Sequence, residues 1–148
     1  KLTVLLITHE MHVIHSLCDR VAVMEQGRIV EQGRVLDVFL DPQHATTRSL
    51  LAHAGFLLDE GAATEPGRPH LQITAVGAAA QSPLLDRLRA QHGIRLNLLE
   101  GRVTHIKGEP VARLRADVLG ADVPLDRIPA LVAELGGHAR WLNEGITQ

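Results

Sequence analysis

The sharpest chemical signal in the sequence is Thr8-His9-Glu10, which follows directly on the apolar run Leu2-Thr3-Val4-Leu5-Leu6-Ile7. An imidazole at the end of a buried strand can donate a hydrogen bond to developing charge and exchange a proton near neutral pH. The triplet alone equally describes a histidine that only satisfies its own polar atoms at a strand end, and alone it favours that plainer reading. His9, His12 and His15 recur at intervals of three, which on a helix sets neighbours near one face. This is not H-E-x-x-H and no Cys, Asp or Glu cluster joins it, so a solvated helix face is expected rather than a metal site. Cys18 is the single cysteine and excludes an intrachain disulfide. It reads as a small buried apolar residue in a reducing, cytoplasmic setting. No G-x-x-x-x-G-K-[ST] phosphate loop occurs in the chain. The second half offers no Ser-His-Asp or Cys-His set that the sequence places together, which argues against a stand-alone enzyme.

The elements that must position these residues fall into two groups. Leu2 to Thr8 is mostly apolar and β-branched, the pattern of a strand buried on both faces of a parallel sheet. Met11 to Cys18 predicts a helix with Met11, Ile14, Leu17 and Cys18 on one face. Val21 to Met24 and Arg28 to Gln32 predict a hairpin across Glu25-Gln26-Gly27-Arg28, with Gly27 free to take positive φ. Val35, Leu36, Val38 and Phe39 form a short helix that Asp41-Pro42 ends, and Thr47 to Ala54 is another helix. Residues 55–69 collect Gly55, Gly61, Gly67, Pro66 and Pro69 among small and acidic residues, the composition of a linker.

The second group alternates from the start. His70 to Val76 is strand-like; Ser82-Pro83 predicts an N-cap and first turn, with Leu84, Leu85 and Leu88 as the helix stripe and Gly93 as its stop. Ile94 to Ile106 reads as a long strand whose phase shifts before Val103, so Gly101 marks a bulge. Lys107-Gly108-Glu109-Pro110 turns the chain into a strand from Val111 to Leu119. Leu125, Ile128, Leu131, Val132 and Leu135 predict a second helix, and Ala139 to Leu142 a last strand. The order β-α-β-β-α-β is the ferredoxin-like plan, an antiparallel sheet with both helices on one face. Its other face is expected to be open, inviting a second copy or a ligand. The fold class is thus α+β, with a first segment at 1–54, a linker at 55–69 and a ferredoxin-like domain at 70–148.

Composition narrows the function. The chain has 148 residues, 45% hydrophobic and 22% charged, which suits a soluble globular protein of one ordinary domain or two small ones. A formal charge of −2 gives no electrostatic reason to expect nucleic acid. Phe39, Phe56 and Trp141 are the only aromatics, too few for the base-stacking sheet of an RNA-binding domain of this strand order. No run approaches the roughly 20 apolar residues that span a bilayer, and Leu2 to Ile7 is too short for a signal-peptide core.

Three stretches in order carry a resemblance: Leu5-Leu6-Ile7-Thr8-His9-Glu10-Met11, then Cys18-Asp19-Arg20-Val21-Ala22-Val23-Met24, then Gly27-Arg28-Ile29-Val30-Glu31-Gln32-Gly33. Together they resemble the end of an ATP-binding-cassette (ABC) ATPase domain of the α/β P-loop class. The resemblance places His9 on that family's switch histidine, which contacts the γ-phosphate across the nucleotide-sandwich dimer. It implies ATP and Mg in the full-length parent. The signature sequence and Walker B carboxylates are absent, so no cofactor and no ATP hydrolysis are expected of this chain alone.

Ser82-Pro83-Leu84-Leu85, His92-Gly93-Ile94, Asn97-Leu98-Leu99-Glu100-Gly101 and Gly108-Glu109-Pro110 resemble the NIL domain, the C-terminal regulatory module of methionine-import ABC ATPases. This resemblance implies a homodimer through the C-terminal domain, L-methionine or a related amino acid as ligand, and inhibition of transport when it binds. It implies a membrane permease as partner and a cytoplasmic position at the inner face of the membrane. Asn97 falls on the family's ligand-contacting asparagine, and Leu98, Leu99 and Val103 would flank an apolar side chain. An amide offers donors and an acceptor to the charged α-groups of an amino acid. By residue type alone, Asn97 is equally an exposed strand residue and the leucines are core. A dimerisation module without ligand is the alternative function.

Overall fold

A computed structural model describes residues 2–58 and 67–142. The chain divides into two compact units, one of Lys1–Leu57 with Ile106–Gly108, the other of Leu58–His105 with Glu109–Gln148.

In the first unit, helix α1 (Met11–Leu17) buries Met11 and Ile14. Strands β1 (Arg20–Glu25) and β2 (Arg28–Arg34) form the expected hairpin, pairing antiparallel with Glu25 opposite Arg28. Gln26 and Gly27 both take positive φ, 49° and 77°. That is the two-residue turn whose twist matches a hairpin. Helix α2 (Val35–Leu40) buries Val35, Val38 and Phe39, and α3 (Ala45–His53) buries Thr47 and Leu51. The Glu31 carboxylate accepts from the backbone N–H groups of Gln43 and His44, both at 2.9 Å, and so ties the chain entering α3 to β2.

The expected strand at Leu2–Thr8 is not formed. Residues 2–7 have no regular structure, and Leu2, Val4, Leu5 and Ile7 are 73% to 91% exposed. A strand of a parallel sheet exists only through bonds to neighbouring strands, and among the described residues none lies beside this segment. Composition also assigns residues from Gly55 onward to a linker, yet Phe56 is 3% exposed, with its ring 5.1 Å from that of Phe39. Residues 59–66 of the expected linker, and 143–148 of the expected C-terminal domain, lie outside the described residues.

The second unit contains β3 (His70–Val76), a short α4 (Ala78–Gln81), α5 (Leu84–His92), β4 (Arg95–Ile106), β5 (Glu109–Gly120), a 3₁₀ turn (Leu125–Arg127), α6 (Ile128–Glu134) and β6 (Gly137–Trp141). Its four strands lie in the order β4-β5-β3-β6, and β3 runs antiparallel to both of its neighbours. Leu71 and Ile73 of β3, Val118 of β5 and Ala139 of β6 pack with Leu84 and Leu88 of α5 and Ile128, Leu131 and Val132 of α6. Both long helices therefore close the same face of the sheet. Pro129 lies in the first turn of α6, where its missing N–H costs nothing. Ser82 is not the expected cap of α5: Pro83 holds the cap position, and the Ser82 hydroxyl donates to Ala79 O at 2.9 Å. Three alanines and a glutamine ahead of Ser82 wind into α4, a turn that draws the hydroxyl backwards.

Candidate functional site

The long strand β4 is the outermost of its sheet, so one of its edges has no strand beside it among the described residues. It carries all four residues expected to bind ligand. Asn97 is exposed, and Leu98, Leu99 and Val103 are 52%, 38% and 63% exposed. Leu96 packs on the core, while Val103 shares a lining with Ala112 and Leu114 on the same helical face. Residues an odd number apart lie on opposite faces of a regular strand, so the alternation shifts somewhere between Leu96 and Val103. A Cβ on Gly101 would lie 3.1 Å from Leu114 Cδ2, a tight contact with the end of a leucine side chain. Asn97 and Val103 stand six residues apart, about 20 Å along a strand. One small amino acid cannot touch both on the same chain.

Beside Val103 is a cleft of about 400 Å³ on the helical face. Its floor is Ala75, Ala112 and Leu114 from β3 and β5. Its wall comes from α4 and the start of α5, through Ala79, Ala80, Ser82, Leu85 and Asp86. Its lining is mostly apolar with a few polar groups, and it is open to solvent rather than enclosed. Asn97, Leu98 and Leu99 do not line it. The α4 turn that builds the wall is too short, at four residues, to carry a periodic signature, so no sequence pattern marks the cleft.

The opposite face of the sheet is divided: His138 and Arg140 of β6 are exposed, whereas part of β3 and β5 is buried. His70, Arg113, Arg115 and Asp117 are buried there, each 2% to 4% exposed. His70 Nδ1 and Asp117 Oδ1 are 2.6 Å apart, on residues paired across β3 and β5. Arg115 Nη2 lies 3.4 Å from Glu100 Oε2, and Arg140 Nη2 donates to Gln72 Oε1 at 3.3 Å. Burial brings the Arg113 guanidinium down to about 10, still well above neutrality. The sequence shows these residues only as the polar half of an alternation, which reads as a solvated face.

His9 is 91% exposed at its side chain and lies 3.5 Å from Glu10. It stands on the unpaired segment, not at a strand end. The sequence holds no G-x-x-x-x-G-K-[ST] loop to cradle a phosphate near it. His12 and His15 instead pack around Phe56, with ring centroids 4.9 and 5.1 Å from it. His12 Nε2 bonds Ala54 O at 3.1 Å. Burial, and then the neighbouring His12, hold the His15 imidazole below its ordinary range. Among the described residues, no three His, Cys, Asp or Glu side chains are grouped to hold a metal, and no helix is long and apolar enough to cross a membrane.

These features define an α+β protein whose second unit matches the NIL domain family over residues 69–138. The chain is 44% identical over 125 residues to the methionine import ATP-binding protein MetN of Xylella fastidiosa, covering 82% of this chain and 37% of that protein. It is 43% identical over 128 residues to methionine import ATP-binding protein MetN 1 of Pseudomonas putida, covering 83% and 38%. It is 41% identical over 129 residues to its counterpart in Rhodospirillum rubrum, covering 82% and 37%. The chain belongs to this family of ABC importer ATP-binding proteins and corresponds to their C-terminal part. It spans well under half the length of the curated relatives it matches.

Proposed function

We propose that this chain is the C-terminal part of the ATP-binding subunit of an ABC importer for methionine, and that its second unit is a ferredoxin-like sensor of the imported amino acid. The observation that carries this reading is the identity of more than 40% to methionine import proteins over four-fifths of the chain, spanning both units. The strand order β4-β5-β3-β6 with both long helices on one face agrees with the ferredoxin-like plan. In the full-length parent, the missing part of the ATPase domain supplies the nucleotide cradle for ATP and Mg, and His9 contacts the γ-phosphate. A membrane permease subunit is the partner that holds the parent at the inner face of the membrane.

Regulation follows from linkage. Methionine inhibits only to the extent that it binds the state with separated nucleotide-binding halves better than the closed state. Equal affinity for both would shift nothing. The exposed edge of β4, with Leu98, Leu99 and Val103, is the surface for a second copy of this domain, because an exposed apolar edge strand is a ready template for pairing. Asn97 on that strand contacts the ligand's charged groups. Titration calorimetry of the chain with L-methionine, beside Asn97→Ala, tests the reading: saturable binding weakened by the substitution supports it. A folded dimer that binds no amino acid would leave a ligand-free pairing module, the second reading, which the apolar β4 edge favours without needing the cleft.

A further inference from the structure

Phe56 closes a cluster of four rings in the first unit. Its ring centroid lies 4.9 Å from that of His12, 5.1 Å from that of His15 and 5.1 Å from that of Phe39. The rings of His12 and His15 meet edge to face at 5.7 Å. The backbone delivers Phe56 to this place. Gly55 takes φ 82° behind the end of α3, its N–H donates to Ala52 O at 3.0 Å, and the Phe56 N–H donates to Leu51 O at 2.9 Å. This is a glycine-ended helix stop that folds the next residue back onto an apolar contact. Phe56 is thus the last aromatic anchor before Leu57, where the main segment of the first unit ends.

The two histidines of the cluster respond to acid differently. His12 is exposed, and its Nε2 bonds Ala54 O at 3.1 Å. A carbonyl only accepts, so this nitrogen carries a proton, and a charged His12 keeps the same bond. His15 is half-buried, and its Nδ1 is buried and meets no hydrogen-bond partner among the described residues. The neutral ring can keep its one proton on Nε2. The charged ring donates from both nitrogens and must bury an N–H that has no acceptor. The ionisable groups on the elements that supply the rings are Glu10 and His12 at α1, Asp37 on α2, and Arg48 and His53 on α3. Burial is the larger cause that holds the His15 imidazole below its ordinary value, and of those groups only His12 adds to it through its charge.

We propose that these rings form an acid-opened latch, in which protonating His15 separates it from Phe56 and frees residues 54–57 from α1. Val35 and Leu51, both fully buried, hold the rest of the unit together meanwhile. The closed latch is favoured above about pH 6.5 and weakens as the pH falls through the lowered His15 value, because the open state binds the proton more tightly. Releasing residues 54–57 lengthens the segment that leaves the unit by up to about 14 Å, the extended span of that stretch.

The test is NMR of the whole chain between about pH 8 and 5, following the His15 ring together with the amide exchange of Gly55 and Phe56, corrected for the intrinsic pH dependence of exchange. Expected is a loss of Phe56 amide protection with the same midpoint as the His15 ring, reaching about tenfold for each unit by which that midpoint lies below 6.5. His15→Phe keeps a ring in place and takes no proton there, so Phe56 stays protected across the range. His12→Gln removes the neighbouring charge, so the midpoints of ring and amide rise together; it carries the test where His15→Phe does not fold. Phe56 protection that is unchanged while the His15 ring titrates overturns the latch, and so does a loss that persists in folded His15→Phe. A His15 ring that stays neutral until the whole first unit unfolds overturns it as well.

Discussion

The two units handle their apolar residues in opposite ways. The second closes its own core: Leu71, Leu88, Ile128 and Val132 are all 0% exposed between one sheet face and two helices. The first buries Val35, Phe39 and Leu51 fully but leaves Leu2, Leu5 and Ile7 almost as exposed as in an unfolded chain. A four-stranded sheet with two helices across it has every strand it needs. A run shaped for the middle of a parallel sheet has nothing to bury against unless other strands stand on either side. The contrast teaches that the described elements of the second unit bury one another, whereas the first unit contains an apolar segment that no described strand covers.

The largest effect that could break this contrast is catalytic. The chain without a phosphate loop should release no phosphate from ATP above the buffer rate, and measurable turnover in a phosphate-release assay would contradict the incomplete site. Next comes stability. Leu88→Ala should destabilise the second unit by about 2–5 kcal/mol, the usual cost of emptying a core leucine site. Leu5→Ala should change stability by less than about 0.5 kcal/mol, as surface substitutions do. Urea unfolding followed by Trp141 fluorescence reads the first, and circular dichroism the second. Similar values for both would mean that the exposed run is in fact packed.

The smallest expected effect is the pH response of the first unit. His15 is held below its ordinary value of 6.5, first by burial and then by His12. A folded-state pKa below the unfolded one means a contribution that is present above about 6.5 and lost as the pH falls through the lowered value. Burial alone would raise the Glu31 carboxyl, but hydrogen bonds from the Gln43 N–H, the Thr47 side chain and the His44 N–H hold it below its ordinary value of 4.5. Its contribution is likewise present above about 4.5 and lost in stronger acid. Proton NMR titration should find the His15 ring midpoint below 6.5. A midpoint at or above that value would show that the ring is not packed against Phe56.

Much of the second unit was legible in its sequence. Alternation gave β3 and β5, and the stripe of Leu84 and Leu88 gave α5. Local pattern sufficed there because each element presents an apolar side of the right period to one shared core. The candidate site was less legible. Asn97, Leu98, Leu99 and Val103 were marked through resemblance, and three-dimensional placement spreads them along an exposed edge with only Val103 at the cleft. Phe56 was hidden in a stretch whose glycines and prolines spell a linker, since composition averages over the one residue that packs.

What the sequence determined by itself was the order of most elements from Met11 onward, the hairpin turn at Gly27, the lack of a phosphate loop and the kinship to a known family. What only the tertiary structure decided was exposure. The same alternation that marks Arg113, Arg115 and Asp117 as a polar face cannot say whether that face is wet or buried. The same apolar run that spells a strand at Leu2–Ile7 cannot supply its neighbours. Periodicity is a property of one segment, whereas burial and pairing are properties of what lies beside it.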